Sequence, residues 1–141
     1  LRRAFTLLEL CFVLAIMAAL TAMVVPSYDT LLKRTWAAEA PAVLTAIAHA
    51  EIQHYRDHGA FLACPAEGPI PSPSQPAPAV AECWRTLGVG LSGASRFRYG
   101  VELNGTSFSA TAEADLDRDG QASRYVLDGA TLAIATTDPL E

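Results

Sequence analysis

Asp115, Asp117 and Asp119 alternate within Asp115-Leu116-Asp117-Arg118-Asp119-Gly120-Gln121. On a tight loop that alternation puts carboxylates on the inner side, and Gly120 permits the sharp bend. Carboxylates gathered this way repel one another, and a cation relieves the repulsion. Calcium, which takes six to eight oxygens, suits such a loop. Asp128, Ser123 or water would complete the shell. A solvated Asp-Gly turn is the other reading. His54 and His58 form a second candidate, at a helical spacing that can hold a metal. No Glu follows His54 and no third ligand is evident, so a solvated helix face is the favoured reading. The chain has no phosphate-cradling Gly loop, no Gly-x-Ser-x-Gly elbow and no Cys beside a His. Nothing in it supports enzymatic chemistry, and no cofactor is required apart from the candidate calcium.

The elements that must position these groups begin with an apolar run. Phe5–Val25 is 21 residues long and holds one charge, Glu9, and two other polar residues, Thr6 and Thr21. As a helix it spans about 30 Å, the hydrocarbon thickness of a bilayer. Arg2 and Arg3 precede it, which favours a cytoplasmic N-terminus and places the rest of the chain outside. A signal peptide is the alternative, but the apolar run is longer than such segments carry and no clear cleavage site follows before Pro26. Glu9 is costly inside a membrane, and so a partner for it is expected. Beyond the run, residues 27–141 carry eight Lys and Arg against fourteen Asp and Glu. That balance opposes a general nucleic-acid binder, which needs a basic stripe.

Trp36–His58 reads as an amphipathic helix, with Leu44, Ala48, Ile52 and Tyr55 on the face that should pack on a sheet and Gly59 as its stop. Pro26 and Pro41 each remove a backbone hydrogen bond, and the helix should bend or loosen there. Pro65–Pro78 holds six prolines in 14 residues and reads as an extended loop. Cys64 and Cys83 flank it. A disulfide closing residues 64–83 would stabilise by about 3 kcal/mol, and is preferred to two buried thiols because the compartment is oxidising. Cys11 reads as a small hydrophobe within the apolar helix. Arg96–Leu103, Ser107–Ala114, Ser123–Leu127 and Ala130–Ala135 read as strands, with turns at Asn104-Gly105 and Asp128-Gly129. The sum is an α+β fold, a long N-terminal helix packed on an antiparallel sheet of about four strands over residues 96–135.

Arg2-Arg3-Ala4-Phe5-Thr6-Leu7-Leu8-Glu9-Leu10 resembles the processing site of type IV prepilins, with Pro26 where that family commonly has a helix-kinking proline. The resemblance implies a pilin-like fold and cleavage after Ala4, which stands where the family usually has Gly. It also implies methylation of the new N-terminus at Phe5. Leu1–Ala4 is then a leader remnant or N-terminal extension, residues 5–26 the transmembrane and filament-core half of the helix, and 27–141 the globular domain with its helix at 27–58. Glu9 is the fifth residue after the cut, and its implied partner is the freed amine of Phe5. The implied function is a major or minor pilin that polymerises with other copies and related pilins through its apolar helix. Adhesion and twitching motility follow from the resemblance only. The subunit would sit in a bacterial inner membrane, be handled by pilus assembly machinery, and end in a surface filament. A pseudopilin of a type II secretion system shares the motif and is the first alternative. A membrane-anchored binding module that never polymerises is the second. The first half of the acidic loop is also similar to an EF-hand calcium loop, which implies a backbone carbonyl ligand from its seventh position, Gln121 here. The twelfth is Val126 rather than Glu.

Overall fold

The computed structural model describes residues 6–66, 68–72, 82–91 and 95–138. It divides into two compact units, Leu1–Arg34 and Thr35–Glu141.

Helix α1 (Leu7–Ala37) starts at Thr6, whose hydroxyl accepts the Glu9 N–H at 3.3 Å and whose carbonyl accepts the Leu10 N–H at 3.2 Å. Thr6 thus caps the helix: its hydroxyl satisfies one of the donors that a helix N-terminus leaves open, and its carbonyl accepts the first intrahelical bond. Every side chain from Thr6 to Val25 is exposed, Leu7 to 81% and Met23 to 75%. The Thr21 hydroxyl donates to the Met17 carbonyl at 2.8 Å, so the lone mid-run hydroxyl is satisfied within the helix. This helix is long and apolar enough to cross a membrane, with a mean hydropathy of 2.5 over its richest window. Helix α1 runs unbroken through Pro26, where loosening was expected. The break falls instead at Ala38, between α1 and α2 (Glu39–His58). Pro41 explains it: its missing N–H and its ring both act on the carbonyl four residues back, that of Ala37, where α1 ends.

In the second unit α2 packs on a sheet of order β1-β2-β3-β4, all antiparallel: β1 (Arg98–Asn104), β2 (Ser107–Ala114), β3 (Ser123–Asp128) and β4 (Ile134–Thr137). Phe108, Ala110, Ala112 and Ala114 alternate inward along β2 and are all buried, as their spacing predicts. Phe97, Tyr99, Val101, Tyr125 and Leu127 close the same core, with Phe97 edge-on to Tyr125. Arg98, Glu113 and Arg124 stand directly opposite one another on β1, β2 and β3, and both arginines pair with the Glu113 carboxylate.

Several expectations need correction. The buried stripe of α2 is Ala40, Leu44, Ile47, Ala48 and Glu51, so Ile52 lies at the margin and Tyr55 faces out. An acidic residue inside the stripe hid its true course. Leu103, which the alternation along Arg96–Leu103 places on one face with Phe97, Tyr99 and Val101, is exposed to 46%, because β1 there runs into the hairpin and past the core. That hairpin turns on Gly105-Thr106, one residue later than read, since Asn104 pairs with Ser107. The fourth strand also begins later. Asp128 accepts from the Ala130 N–H at 2.9 Å and the Thr131 hydroxyl at 3.1 Å, stretching the expected two-residue turn into a loop to Ala133. Gly129 in that loop donates to the Phe108 carbonyl at 2.8 Å, and a Cβ on it would come 2.5 Å from the same oxygen, so only glycine fits. A short helix, α3 (Glu82–Thr86), follows the proline-rich segment and inserts Trp84 in the core. No sequence period announced it.

Candidate functional site

Ala4 and Phe5, the expected processing site, lie outside the described residues, as do residues 73–81 of the proline-rich loop. Glu9 sits in the first turn of α1, where the helix dipole favours an acid. The Thr6-x-x-Glu9 spacing is that of a capping box, a signal present in the sequence that the reading of Glu9 as a lone intramembrane charge left unused. Pro26 is seventeen positions further along the same helix.

Cys64 and Cys83 are joined in a disulfide, with Cα atoms 5.7 Å apart. Cys64 also exchanges backbone hydrogen bonds with Val101, at 3.0 and 2.6 Å, so that the chain is laid along the outer edge of β1. Cys83 reaches it from α3. Cys11 is an exposed free thiol on α1.

The acidic loop spans the gap between β2 and β3. Asp115 follows the last β2 residue and donates its N–H to the Pro71 carbonyl at 2.9 Å, while Leu116, 3% exposed, pins the loop to the core. Arg118 and Gly120 both adopt left-handed backbone, with φ of 70° and 89°. These reversals fold the loop back, and one Asp115 carboxylate oxygen accepts the Arg118 N–H at 2.6 Å while the other accepts the Gly120 N–H at 3.3 Å. Asp119 accepts the Gln121 N–H at 2.7 Å and its side-chain amide at 3.1 Å. Asp115, Asp117 and Asp119 each offer an oxygen within 4.8 Å of the others. Calcium binds oxygens at 2.3–2.6 Å, so ligands around one ion lie up to about 5 Å apart. The donor set therefore fits that ion. Asp128 does not join it. β3 runs extended from Ser123 to Asp128, which carries the carboxylate to the far end of the strand, where it caps the turn before β4. Ser123 is fully buried in that strand.

Glu51 was not foreseen from its residue type or spacing. It is fully buried, its Oε2 accepts the Leu62 N–H at 3.0 Å, and its Oε1 has no hydrogen-bond partner among the described residues. Burial pushes its carboxyl up from the usual carboxylate range, against the smaller opposing pulls of the Leu62 N–H and His54. A carboxyl raised by folding favours the fold while protonated, and that contribution is lost as pH rises through the raised value. Glu51→Gln keeps the acceptor for Leu62 and cannot ionise. Wild type and variant should melt alike at pH 4, and the variant should melt higher at pH 7, which thermal denaturation at the two values will read. A constant difference between them would show that ionisation of Glu51 plays no part.

Compared with protein-family models, with curated proteins and with solved structures, the chain matches none.

Proposed function

We propose that this chain is a structural subunit of a type IV pilus, stored in the membrane through α1 and polymerised by packing that helix against its counterparts in other copies. One observation carries the reading: an apolar helix exposed on all sides from Leu7 to Val25, interrupted in its first turn by Glu9, precedes a separate α+β unit. A purely apolar span would serve as an anchor. An acid near its start serves packing, because a carboxylate leaving water and lipid headgroups for a helical core requires a counter-charge in a fixed place. The amine of Phe5, freed by cleavage after Ala4, supplies that charge in this reading. Filament imaging of cells expressing Glu9→Ala is the test.

The acidic loop favours a second reading, a pseudopilin that builds a short periplasmic piston. Long surface filaments on overexpression support the first reading. A secretion defect without loss of filaments supports the second. In either case the Asp115, Asp117 and Asp119 cluster is assigned calcium. Saturating calcium should raise the melting temperature and chelation should lower it; at 100 times its dissociation constant the ion adds about 2.7 kcal/mol of stability. Asp119→Asn should remove the response. An unchanged melting curve on chelation would reject a structural ion.

A further inference from the structure

The last turn of α2 carries a pair of imidazoles that the filament reading does not use. His54 and His58 stack with ring centroids 4.3 Å apart and planes tilted by 20°. The Nδ1 of His54 lies 2.9 Å from the Ala60 carbonyl, and the Nδ1 of His58 lies 3.2 Å from the His54 carbonyl. A carbonyl oxygen can only accept, so each Nδ1 must carry the proton. In the neutral ring the free lone pair then falls on Nε2 in both residues. The first of these anchors is not a helical accident. Gly59 adopts left-handed backbone with φ of 73° and turns the chain so that Ala60 presents its carbonyl to the ring.

Two imidazoles one turn apart, fixed in the same tautomer by carbonyls, share the outer-shell arrangement of metal-ligating histidines. There the nitrogen away from the metal donates to a carbonyl, which orients the ring and raises the basicity of the other nitrogen. Neighbouring acids are engaged elsewhere. Both Asp57 oxygens accept from the Gln53 amide, at 3.1 and 3.0 Å, and Glu51 spends its Oε2 on Leu62. We infer that His54 and His58 bind one borderline divalent cation, zinc, nickel or copper, through their Nε2 atoms, with water completing the coordination. Chelation requires the exposed His58 ring to rotate out of the stack and give up its contact with the His54 carbonyl, while the His54 anchor holds, so that both lone pairs meet one ion at about 2.0–2.1 Å. Hard oxygen-seeking ions such as calcium and magnesium are excluded by the ligand type. This site is separate from the acidic loop and does not depend on polymerisation.

The test is calorimetric titration of the detergent-solubilised full chain with nickel and with zinc, in a Cys11→Ser background and with calcium in excess so that the aspartates are occupied. One ion per chain is expected, weakened at least about tenfold by His58→Ala and unchanged by Asp119→Asn. His58→Ala leaves the His54 anchor and the helix cap in place, and circular dichroism will verify its fold. Absence of binding to the parent chain, equal affinity in His58→Ala, or loss of binding in Asp119→Asn would each overturn the inference.

Discussion

Glu9→Ala is expected to abolish filament growth and to leave insertion of the subunit in the membrane unchanged. Removing the acid makes α1 more apolar, and insertion scales charge roughly 2.5–3.5 kcal/mol for an acid at mid-membrane, so the membrane-stored form gains rather than loses. On the reading proposed above, assembly would lose what sets the register of one helix against the next, since apolar surfaces slide over one another at little cost while a buried charge accepts only one position. The hydrogen bond from the Glu9 N–H to the Thr6 hydroxyl provides a control. Thr6→Val removes that cap, at about 1 kcal/mol of helix stability, and keeps the acid. Filaments should persist. Glu9→Gln keeps the shape of the first turn without the charge, and filaments should again be absent. Electron microscopy of sheared surface material, with membrane fractionation of the same cells, reads all three. Normal filaments from Glu9→Ala would remove the basis for a polymerising subunit and leave the anchored binding module.

Phe108→Ala should be the most damaging single change in the folded unit, at about 3–5 kcal/mol. The side chain is 1% exposed, its ring meets that of Phe61 with centroids 5.0 Å apart, and the Gly129 backbone closes over it. The backbone of that loop is tied to the Phe108 carbonyl, so the surroundings cannot collapse freely into the space the ring leaves. For a unit of this size the loss corresponds to a fall in melting temperature on the order of 15–20 °C. Tyr55→Ala, on an aromatic that stacks on Phe61 from outside and is 48% exposed, should cost far less. Thermal melts of the two variants beside the wild type will show the contrast; equal losses would place the core elsewhere.

The sheet was legible because its alternation is strict. Along β2 each inward position is Phe or Ala and each outward one is Ser, Thr or Glu, and no other periodicity competes. Local chemistry that acts through shape was harder to see. Asp128 reads equally as a turn residue or as a metal ligand, and only the extension of β3 decides between them. Glu51 breaks the apolar pattern of α2 at the point where that pattern would have given the helix its correct rotation. Trp84 is carried by a helix of five residues, too short to show a period. At the candidate site the three clustered aspartates were evident from their spacing, whereas the anchoring of His54 depends on a carbonyl six residues away that composition does not reveal.

The stretch that Cys64 lays along β1 has a bearing on quality control. A sheet with two open flanks invites other chains to add to it, and here one flank is occupied by a segment held through a covalent staple to α3. While the thiols remain reduced, that guard is held by non-covalent contacts alone, the Cys64–Val101 pair, the Leu62 N–H on Glu51 and the Asp115 N–H on Pro71 among them. The disulfide therefore does more than stiffen the chain: it leaves β4 as the sheet's one unguarded border among the described residues and disfavours strand-to-strand aggregation through the β1 flank.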